Sequence, residues 1–120
     1  MKTILITGGA GFIGSNFVQH IFNKYSDYKI VVLDALTYAG SLENIPLEIR
    51  NSDRFEFWYG NLNNIDMVND LVGSSDIVVH FAAETHVDRS LYLNRVFFIT
   101  DVLGTQSIAN AVLKHLDTVE

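Results

Sequence analysis

The chain of 120 residues contains no cysteine. This absence excludes disulfides, thiolate metal sites and a cysteine nucleophile, and it fits a cytosolic protein. The chain also lacks a polybasic run for an anionic membrane, and 14 acidic against 8 basic side chains give a net charge of −6. Because a surface of that sign repels a phosphate backbone, we expect no nucleic-acid partner.

Long apolar runs and targeting signals are lacking as well. No stretch approaches the roughly 18 apolar residues that a membrane helix requires, and no apolar region of a secretory signal develops after Lys2. We therefore expect no membrane partner and a cytoplasmic location. The pattern G-x-S-x-G is absent from the sequence, so a hydrolase would have no nucleophile.

What the chain does contain is an alternation of strand and helix patterns. Apolar runs predict four strands, at 3–7, 29–34, 55–59 and 76–82. Helical spacing of apolar residues predicts helices at 12–24, 63–72 and 94–115. The loop 35–54 is predicted to hold a short helix whose N-cap is Ser41. This alternation predicts a doubly wound, Rossmann-like α/β domain with a parallel sheet in the order 3-2-1-4 and a crevice beside strand 1.

Residues 6–17 read ITGGAGFIGSNF, between the first predicted strand and the first predicted helix. In this context Gly8 would permit a tight turn, and Gly11 would let the backbone approach a pyrophosphate. Gly14 would let the helix pack close on the sheet. The helix N-terminus offers free N–H groups and a positive dipole end to the anion. The alternative, for the motif without its context, is a flexible turn.

Asp34 ends the second predicted strand, 20 residues after Gly14. An acidic residue at about this distance accepts a hydrogen bond from the ribose 2′-hydroxyl of a dinucleotide. The same carboxylate would repel a 2′-phosphate, so the residues predict NAD as the cofactor rather than NADP. The alternative is a loop carboxylate that caps nearby backbone.

Two further patterns are interpreted as structural. Tyr25 and Lys29 form a Tyr-x-x-x-Lys pattern, but they lie in the turn before strand 2, at the amino ends of the strands and away from the crevice. Trp58 and the aromatic run around it are interpreted as core rather than as a base-stacking platform.

A metal site is not predicted either. His80, His86 and Asp88 are the candidate ligands, but a zinc site needs three or four convergent ligands. Because His80 falls inside a strand predicted to be buried, His86 and Asp88 are interpreted as shaping the loop after strand 4.

Four segments together resemble the dTDP-glucose 4,6-dehydratases, which are extended short-chain dehydrogenase/reductases that bind NAD. The segments are TGGAGFIGSNF, LDALTYAGSLENI, GNLNN and HFAAETHVDRS, and the resemblance covers about residues 2–115 in order. The glycine loop alone is typical of the whole superfamily. The runs LTYAGSLENI and HFAAETHVDRS narrow the resemblance to the nucleotide-sugar dehydratases.

The resemblance implies a set of cofactor-binding residues, nearly all of which follow the carboxyl ends of strands. Phe12 and Ile13 would lie against the pyrophosphate through their backbone amides. Thr85 would lie where cofactor and sugar meet, and would therefore contact the substrate. The full set is Gly8, Gly11, Phe12, Ile13, Gly14, Asp34, Ala35, Leu36, Thr37, Asn61, Leu62, Phe81, Ala82, Ala83, Thr85 and Thr100.

The chain departs from the family pattern at several of these positions. Asn61 and Leu62 stand where the family usually has Asp-Ile, and Asn61 can still accept from the adenine amino group through its carbonyl. Ala35 replaces Lys or a similar residue and loses a contact, whereas Thr85 replaces Ser and keeps the hydroxyl. Asp101 replaces an Asn that braces neighbouring backbone, and a carboxylate cannot donate as that amide does.

The resemblance implies dehydration of a dTDP-hexose. NAD takes hydride from sugar C4, water leaves across C5 and C6, and hydride returns to C6. In the family a Tyr-x-x-x-Lys pair and a Thr-Asp-Glu group carry the proton transfers after a fifth strand. We therefore expect residues 1–120 to be the N-terminal portion of an NAD-binding domain, without a substrate domain, without catalytic residues and inactive alone.

Two alternatives to this function stay open. One is a non-catalytic dinucleotide-binding or interaction module left by truncation, and the other is a fragment of a related nucleotide-sugar epimerase.

Residues 116–120 are interpreted as the approach to a fifth strand, whose absence would leave strand 4 as an edge. The long predicted helix carries more apolar surface than one sheet face can cover. We expect a homo-oligomer to cover the excess, with exchange of elements between subunits as one way to do so.

Overall fold

Four strands form one parallel sheet in the order β3-β2-β1-β4. The strands are β1 Lys2–Thr7, β2 Tyr28–Asp34, β3 Phe55–Tyr59 and β4 Ile77–His80. This computed structural model describes residues 1–37, 40–84 and 87–120, without the side chains of 87–89. The predicted α/β class and strand order are confirmed.

Helices cover the sheet on both faces. They are α1 Phe12–Lys24, α2 Leu47–Arg50, α3 Ile65–Gly73, α4 Val87–Tyr92, α5 Asn94–Phe97 and α6 Gly104–Lys114. A 3₁₀ turn spans Leu42–Asn44, and Ser41 caps it by accepting a hydrogen bond from the Glu43 N–H at 3.3 Å. The predicted bounds of α1 and the Ser41 cap are confirmed, whereas α2 lies in a segment predicted mostly as loop.

The core consists of two apolar layers, one on each face of the sheet. Along β1, Ile4 and Ile6 face the layer that contains Val18 of α1, and Leu5 faces the layer that contains Val68 of α3. Neighbouring strand residues point to opposite faces. Because both faces are covered, the strand sequences are almost continuously apolar rather than alternating.

β3 lies at the outer edge of the sheet and exposes part of its aromatic run. Trp58 is 41% exposed and Tyr59 is 71% exposed, so the prediction that this run belongs to the core was wrong for these two residues. The Trp58 Nε1 donates to Glu56 at 2.6 Å, and Glu56 also pairs with Lys29 at 2.6 Å. Edge position explains the exposure, because β3 has a neighbouring strand on one side only.

The long helix predicted at 94–115 is helical through Lys114 but changes geometry in the middle. Phe98–Leu103 is a π-helical segment between α5 and α6. Among the described residues, the 21-residue stretch Asn94–Lys114 is long and apolar enough to cross a membrane by length and composition, with a mean hydropathy of 1.4. This differs from the expectation that no stretch comes near that length, although a single such helix is weak evidence for a membrane span.

The end of the chain lies against the free edge of β4. The Glu120 N–H donates to the Asp76 carbonyl and the Val78 N–H donates to the Glu120 carbonyl, both at 2.8 Å. Residue 120 thus makes ladder hydrogen bonds beside β4, where a fifth strand was expected.

Candidate functional site

A cleft lies at the carboxyl ends of the four strands, where open parallel sheets bind ligands. Residues that follow each strand line it, together with one residue from the π-helical segment. The lining consists of Gly8, Gly11, Leu33, Asp34, Ala35, Thr37, Gly40, Gly60, Asn61, Leu62, Phe81, Ala82, Ala83, Glu84 and Thr100.

Gly8 makes the tight turn at the end of β1. Its φ of +69° lies in the left-handed region, and a Cβ built on it would lie 2.6 Å from the Ala82 nitrogen. The Gly8 N–H donates to the Leu33 carbonyl at 2.9 Å, which ties the turn to the end of β2. Both backbone conformation and space therefore require glycine here.

Gly14 and Gly11 differ in what surrounds them. A Cβ at Gly14 would overlap the Gly8 carbonyl, so Gly14 lets α1 pack against the turn rather than against the sheet as predicted. A Cβ at Gly11 would have only the Gly8 carbonyl oxygen within 4 Å, at 3.4 Å, and otherwise faces open space. Gly11 therefore keeps the cleft open without being needed for the turn itself.

The N-terminus of α1 provides amides without helical partners. Gly11 is the N-cap, and its carbonyl accepts from the Ser15 N–H at 2.9 Å as the first bond of the helix. The amides of Phe12 and Ile13 precede that bond and have no intrahelical acceptor. The first turn carries no acidic side chain, so nothing in it neutralises the positive end of the helix dipole.

Asp34 connects two loops of the cleft. One carboxylate oxygen accepts from the Ala10 N–H at 2.9 Å and the other accepts from the Leu36 N–H at 2.8 Å. Leu36 has a φ of +51°, a strained conformation for leucine, and its bond to Asp34 helps to hold it. A carboxylate offers about four lone-pair sites, so Asp34 caps backbone and still has acceptor capacity left.

Asn61 is held in a turn of its own after β3. Its Oδ1 accepts from Asn63 twice, from the main-chain N at 2.9 Å and from Nδ2 at 3.0 Å. The carbonyl that was expected to accept from an adenine amino group is thus already occupied.

His80 joins three elements beside the cleft. Its Nδ1 lies 2.6 Å from the Thr7 hydroxyl, and its Nε2 lies 3.1 Å from the Thr105 hydroxyl. The Thr105 hydroxyl donates to the Asp101 carbonyl at 2.6 Å and so accepts from Nε2–H. With Nε2 as the donor, the neutral form of the ring has Nδ1 as acceptor from the Thr7 hydroxyl. Burial lowers the pKa of His80 below its usual 6.5, and the charge of Asp101 partly opposes that shift.

Glu84 and Asp101 hold the loop after β4. The Asp101 carboxylate accepts from the Glu84 N–H at 2.8 Å, and the Glu84 carboxylate accepts from the Thr37 hydroxyl at 3.2 Å. Asp101 thus braces the backbone of this loop although it cannot donate, because the bond that it makes needs an acceptor and no donor. Thr100, its neighbour in the π-helical segment, lines the cleft.

Most of the predicted site residues come together in this cleft, and some do not. Phe12, Ile13, Gly14 and Leu36 adjoin it without lining it. Thr85 and His86 lie outside the described residues. Sequence reasoning missed four lining residues, namely Leu33, Gly40, Gly60 and Glu84. Leu33, Gly60 and Glu84 each lie next to a predicted residue in the sequence, and this adjacency could have indicated them as lining residues.

The Tyr25 and Lys29 pair lies apart from the cleft. Lys29 pairs with Glu56 at the amino end of β2, away from the cleft, and Tyr25 packs edge-on against Tyr28. Within the described residues, no group of three or more His, Cys, Asp or Glu side chains is placed to hold a metal ion.

Comparison with known proteins identifies the chain as similar to nucleotide-sugar 4,6-dehydratases. The family model described as GDP-mannose 4,6 dehydratase matches residues 5–119. A dTDP-glucose 4,6-dehydratase of Mycolicibacterium smegmatis is 48% identical over 113 residues, across 93% of this chain and 33% of the relative. The chain thus spans about one third of the length of that relative.

Solved structures share the fold. The dTDP-glucose 4,6-dehydratase of Bacillus anthracis str. Ames, in complex with NAD, has a TM-score of 0.85 and 34% identity across 100% of this chain and 36% of that one. The UDP-glucose 4-epimerase of Thermotoga maritima, with UDP-glucose, has a TM-score of 0.81 and 28% identity across 94% of this chain and 34% of that one.

Proposed function

Because the chain belongs to the GDP-mannose 4,6 dehydratase family, matched over residues 5–119, we propose that it is the NAD-binding portion of a nucleotide-sugar 4,6-dehydratase. The observation that carries this proposal is the cleft itself. It combines an uncapped helix N-terminus, a glycine turn that leaves space beside it, and a carboxylate at the end of the next strand.

The residues of the cleft fit the parts of a dinucleotide. The amides of Phe12 and Ile13 would hold the pyrophosphate, because they have no helical acceptors and lie at the positive end of α1. Asp34 would accept from the adenosine ribose with the lone pairs that Ala10 and Leu36 leave over. The loop from Phe81 to Glu84 would line the nicotinamide side, held in place by Asp101.

A dTDP-hexose is the proposed substrate of the whole protein. When bound, NAD supplies a reversible acceptor for the hydride of sugar C4, and dehydration removes water across C5 and C6. The 48% identity to a dTDP-glucose 4,6-dehydratase supports this choice. The 28% identity to a UDP-glucose 4-epimerase gives the epimerase alternative less support. We assign no catalytic side chain to the described residues, and Thr85 is kept as a proposed substrate contact.

Titration of NAD into the chain tests the proposed function, with Gly11→Ala as the diagnostic variant. The added methyl has room in the free protein, so stability is expected to change by less than about 1 kcal/mol. The methyl would stand where the pyrophosphate approaches, so NAD binding should weaken about tenfold or more, or about 1.4 kcal/mol.

Three outcomes decide whether the cleft binds NAD as proposed and whether the chain is active alone. Binding of NAD by the wild type, lost in Gly11→Ala without a change in melting temperature, supports the proposal. Equal binding by both proteins contradicts it. Incubation with NAD and dTDP-glucose should yield no 4-keto-6-deoxy product, and turnover would contradict the view that this chain lacks the catalytic groups.

A further inference from the structure

The side-chain amide of Asn61 has an orientation fixed by its own turn. Its Oδ1 accepts from the Asn63 main-chain N at 2.9 Å and from the Asn63 Nδ2 at 3.0 Å. A main-chain N–H can only donate, so the atom that faces it is the oxygen, and the two donors occupy both lone pairs. The Asn64 N–H donates to the Asn61 carbonyl at 3.0 Å and closes the same turn.

The opposite side of this amide is available to a ligand. The Asn61 Nδ2 has no hydrogen-bond partner in the part of the chain that the structure describes. Asn61 is exposed and lines the cleft. Turning the amide to present its oxygen would break both bonds from Asn63 and place the Nδ2 against two donors. The free side chain therefore offers a donor rather than an acceptor.

The strand order decides which part of a dinucleotide reaches Asn61. If the pyrophosphate lies at the start of α1, after β1, and the ribose lies at Asp34, after β2, the base lies one strand further along. That strand is β3, the outer neighbour of β2, and Asn61 follows it by two residues.

We propose that Asn61 is a specificity-determining residue that presents a hydrogen-bond donor to the base of the cofactor. This inference rests on the proposed NAD site. Adenine carries a donor at its exocyclic position, whereas hypoxanthine carries an acceptor oxygen there. A donor at position 61 would face the amino donor of adenine without a hydrogen bond, whereas it would donate to the acceptor oxygen of hypoxanthine. The chain is therefore expected to bind nicotinamide hypoxanthine dinucleotide at least as tightly as NAD.

The test compares both dinucleotides by calorimetric titration of the wild type and Asn61→Asp. Aspartate keeps the size of the side chain, and one of its oxygens can still accept from Asn63, so the turn is retained. Its other oxygen presents an acceptor to the base. The control Asn110→Asp adds the same charge on the exposed face of α6. Added charge weakens both dinucleotides alike, so it cancels in the ratio of their Kd values.

The Kd of the hypoxanthine dinucleotide divided by that of NAD is expected to rise about three- to tenfold in Asn61→Asp and to stay unchanged in Asn110→Asp. A fall of similar size would overturn the proposed contact with the exocyclic group, because it would place Asn61 at ring N1, where adenine accepts and hypoxanthine donates. An unchanged ratio with both dinucleotides still bound overturns this inference alone. Failure of the wild type to bind NAD overturns the proposed function and this inference with it.

Discussion

The side chain of His80 connects several of the elements that surround the cleft. Its ring connects Thr7 at the end of β1 with Thr105 at the start of α6. The Thr7 hydroxyl also accepts from the Ala82 N–H at 3.4 Å, so the loop after β4 joins the same network. A neutral ring fits this network, because Nδ1 can then accept from the Thr7 hydroxyl while Nε2 donates to Thr105.

The buried ring of His80 is expected to make the stability of the chain depend on pH. Burial lowers the pKa of His80 in the folded chain, so the unfolded chain binds the proton more readily as pH falls through about 6.5. The free energy of unfolding should therefore decrease from about pH 7.5 to about pH 5.5. In His80→Gln this contribution should vanish, which urea unfolding at both pH values would measure. An identical decrease in both proteins would contradict the assignment.

Asp34 leads to a prediction about cofactor choice. Asp34→Asn removes the negative charge that opposes a 2′-phosphate, so the preference for NAD over NADP should shrink about tenfold. The variant should also lose about 1–3 kcal/mol of stability, because the asparagine NH₂ would face either the Ala10 or the Leu36 N–H.

Asp27→Asn is the matched control for Asp34→Asn, since Asp27 is exposed at the amino end of β2. It should leave the ratio of NAD to NADP affinity unchanged, as measured by titration calorimetry. A similar change in both variants would mean that net charge, and not the position of Asp34, sets the preference.

At the scale of elements, the glycine turn and α1 depend on each other. Gly14→Ala would drive a methyl into the Gly8 carbonyl, and relief of that overlap requires the turn or the helix to move. We expect a loss of about 1–3 kcal/mol in the free energy of unfolding, measured by urea unfolding. Gly11→Ala, three residues earlier, should leave the midpoint nearly unchanged. Equal losses in the two variants would contradict the packing described for this turn.

The elements also show what sequence reasoning can reach. The bounds of α1 and β3 follow from apolar spacing alone, and the strand order follows from the alternation of strands and helices. The exposure of Trp58 follows from β3 being an edge strand, which the predicted strand order already implied and the interpretation of the aromatic run overlooked. The amide orientation of Asn61 depends on the turn from Asn61 to Asn64, and the bond between Asp34 and Ala10 depends on two loops meeting in space.

The π-helical segment is another feature that the sequence patterns did not predict. Apolar spacing over 94–115 is compatible with one regular helix, whereas the structure widens it at Phe98–Leu103. Thr100 and Asp101 lie in this segment and face the cleft and the loop after β4. π turns inside helices are often found at functional sites, which agrees with the position of these two residues.

At the scale of the whole molecule, exposed apolar side chains are frequent on α4, α5, the π-helical segment and α6. They include Leu91, Tyr92, Phe98, Val102 and Leu113. Burial of such a surface is favourable in proportion to its area. A second copy of the chain is the proposed partner.

The prediction is a dimer or larger oligomer by light scattering after size-exclusion chromatography. Leu113→Glu should shift the chain to monomer, because a charge on this surface would be desolvated in an interface. Leu47→Glu, on α2 and similarly exposed at 60% against 64%, should leave the oligomer intact. A wild-type monomer at all concentrations would contradict the prediction.

The most direct test of the central claim is a crystal structure of the chain with NAD. We expect the pyrophosphate on the amides of Phe12 and Ile13, the adenosine ribose within hydrogen-bond distance of Asp34, and the base beside Asn61. NAD bound in any other place, such as the groove beside Trp58 and Asp66, or a cleft that stays empty at saturating NAD, would contradict it.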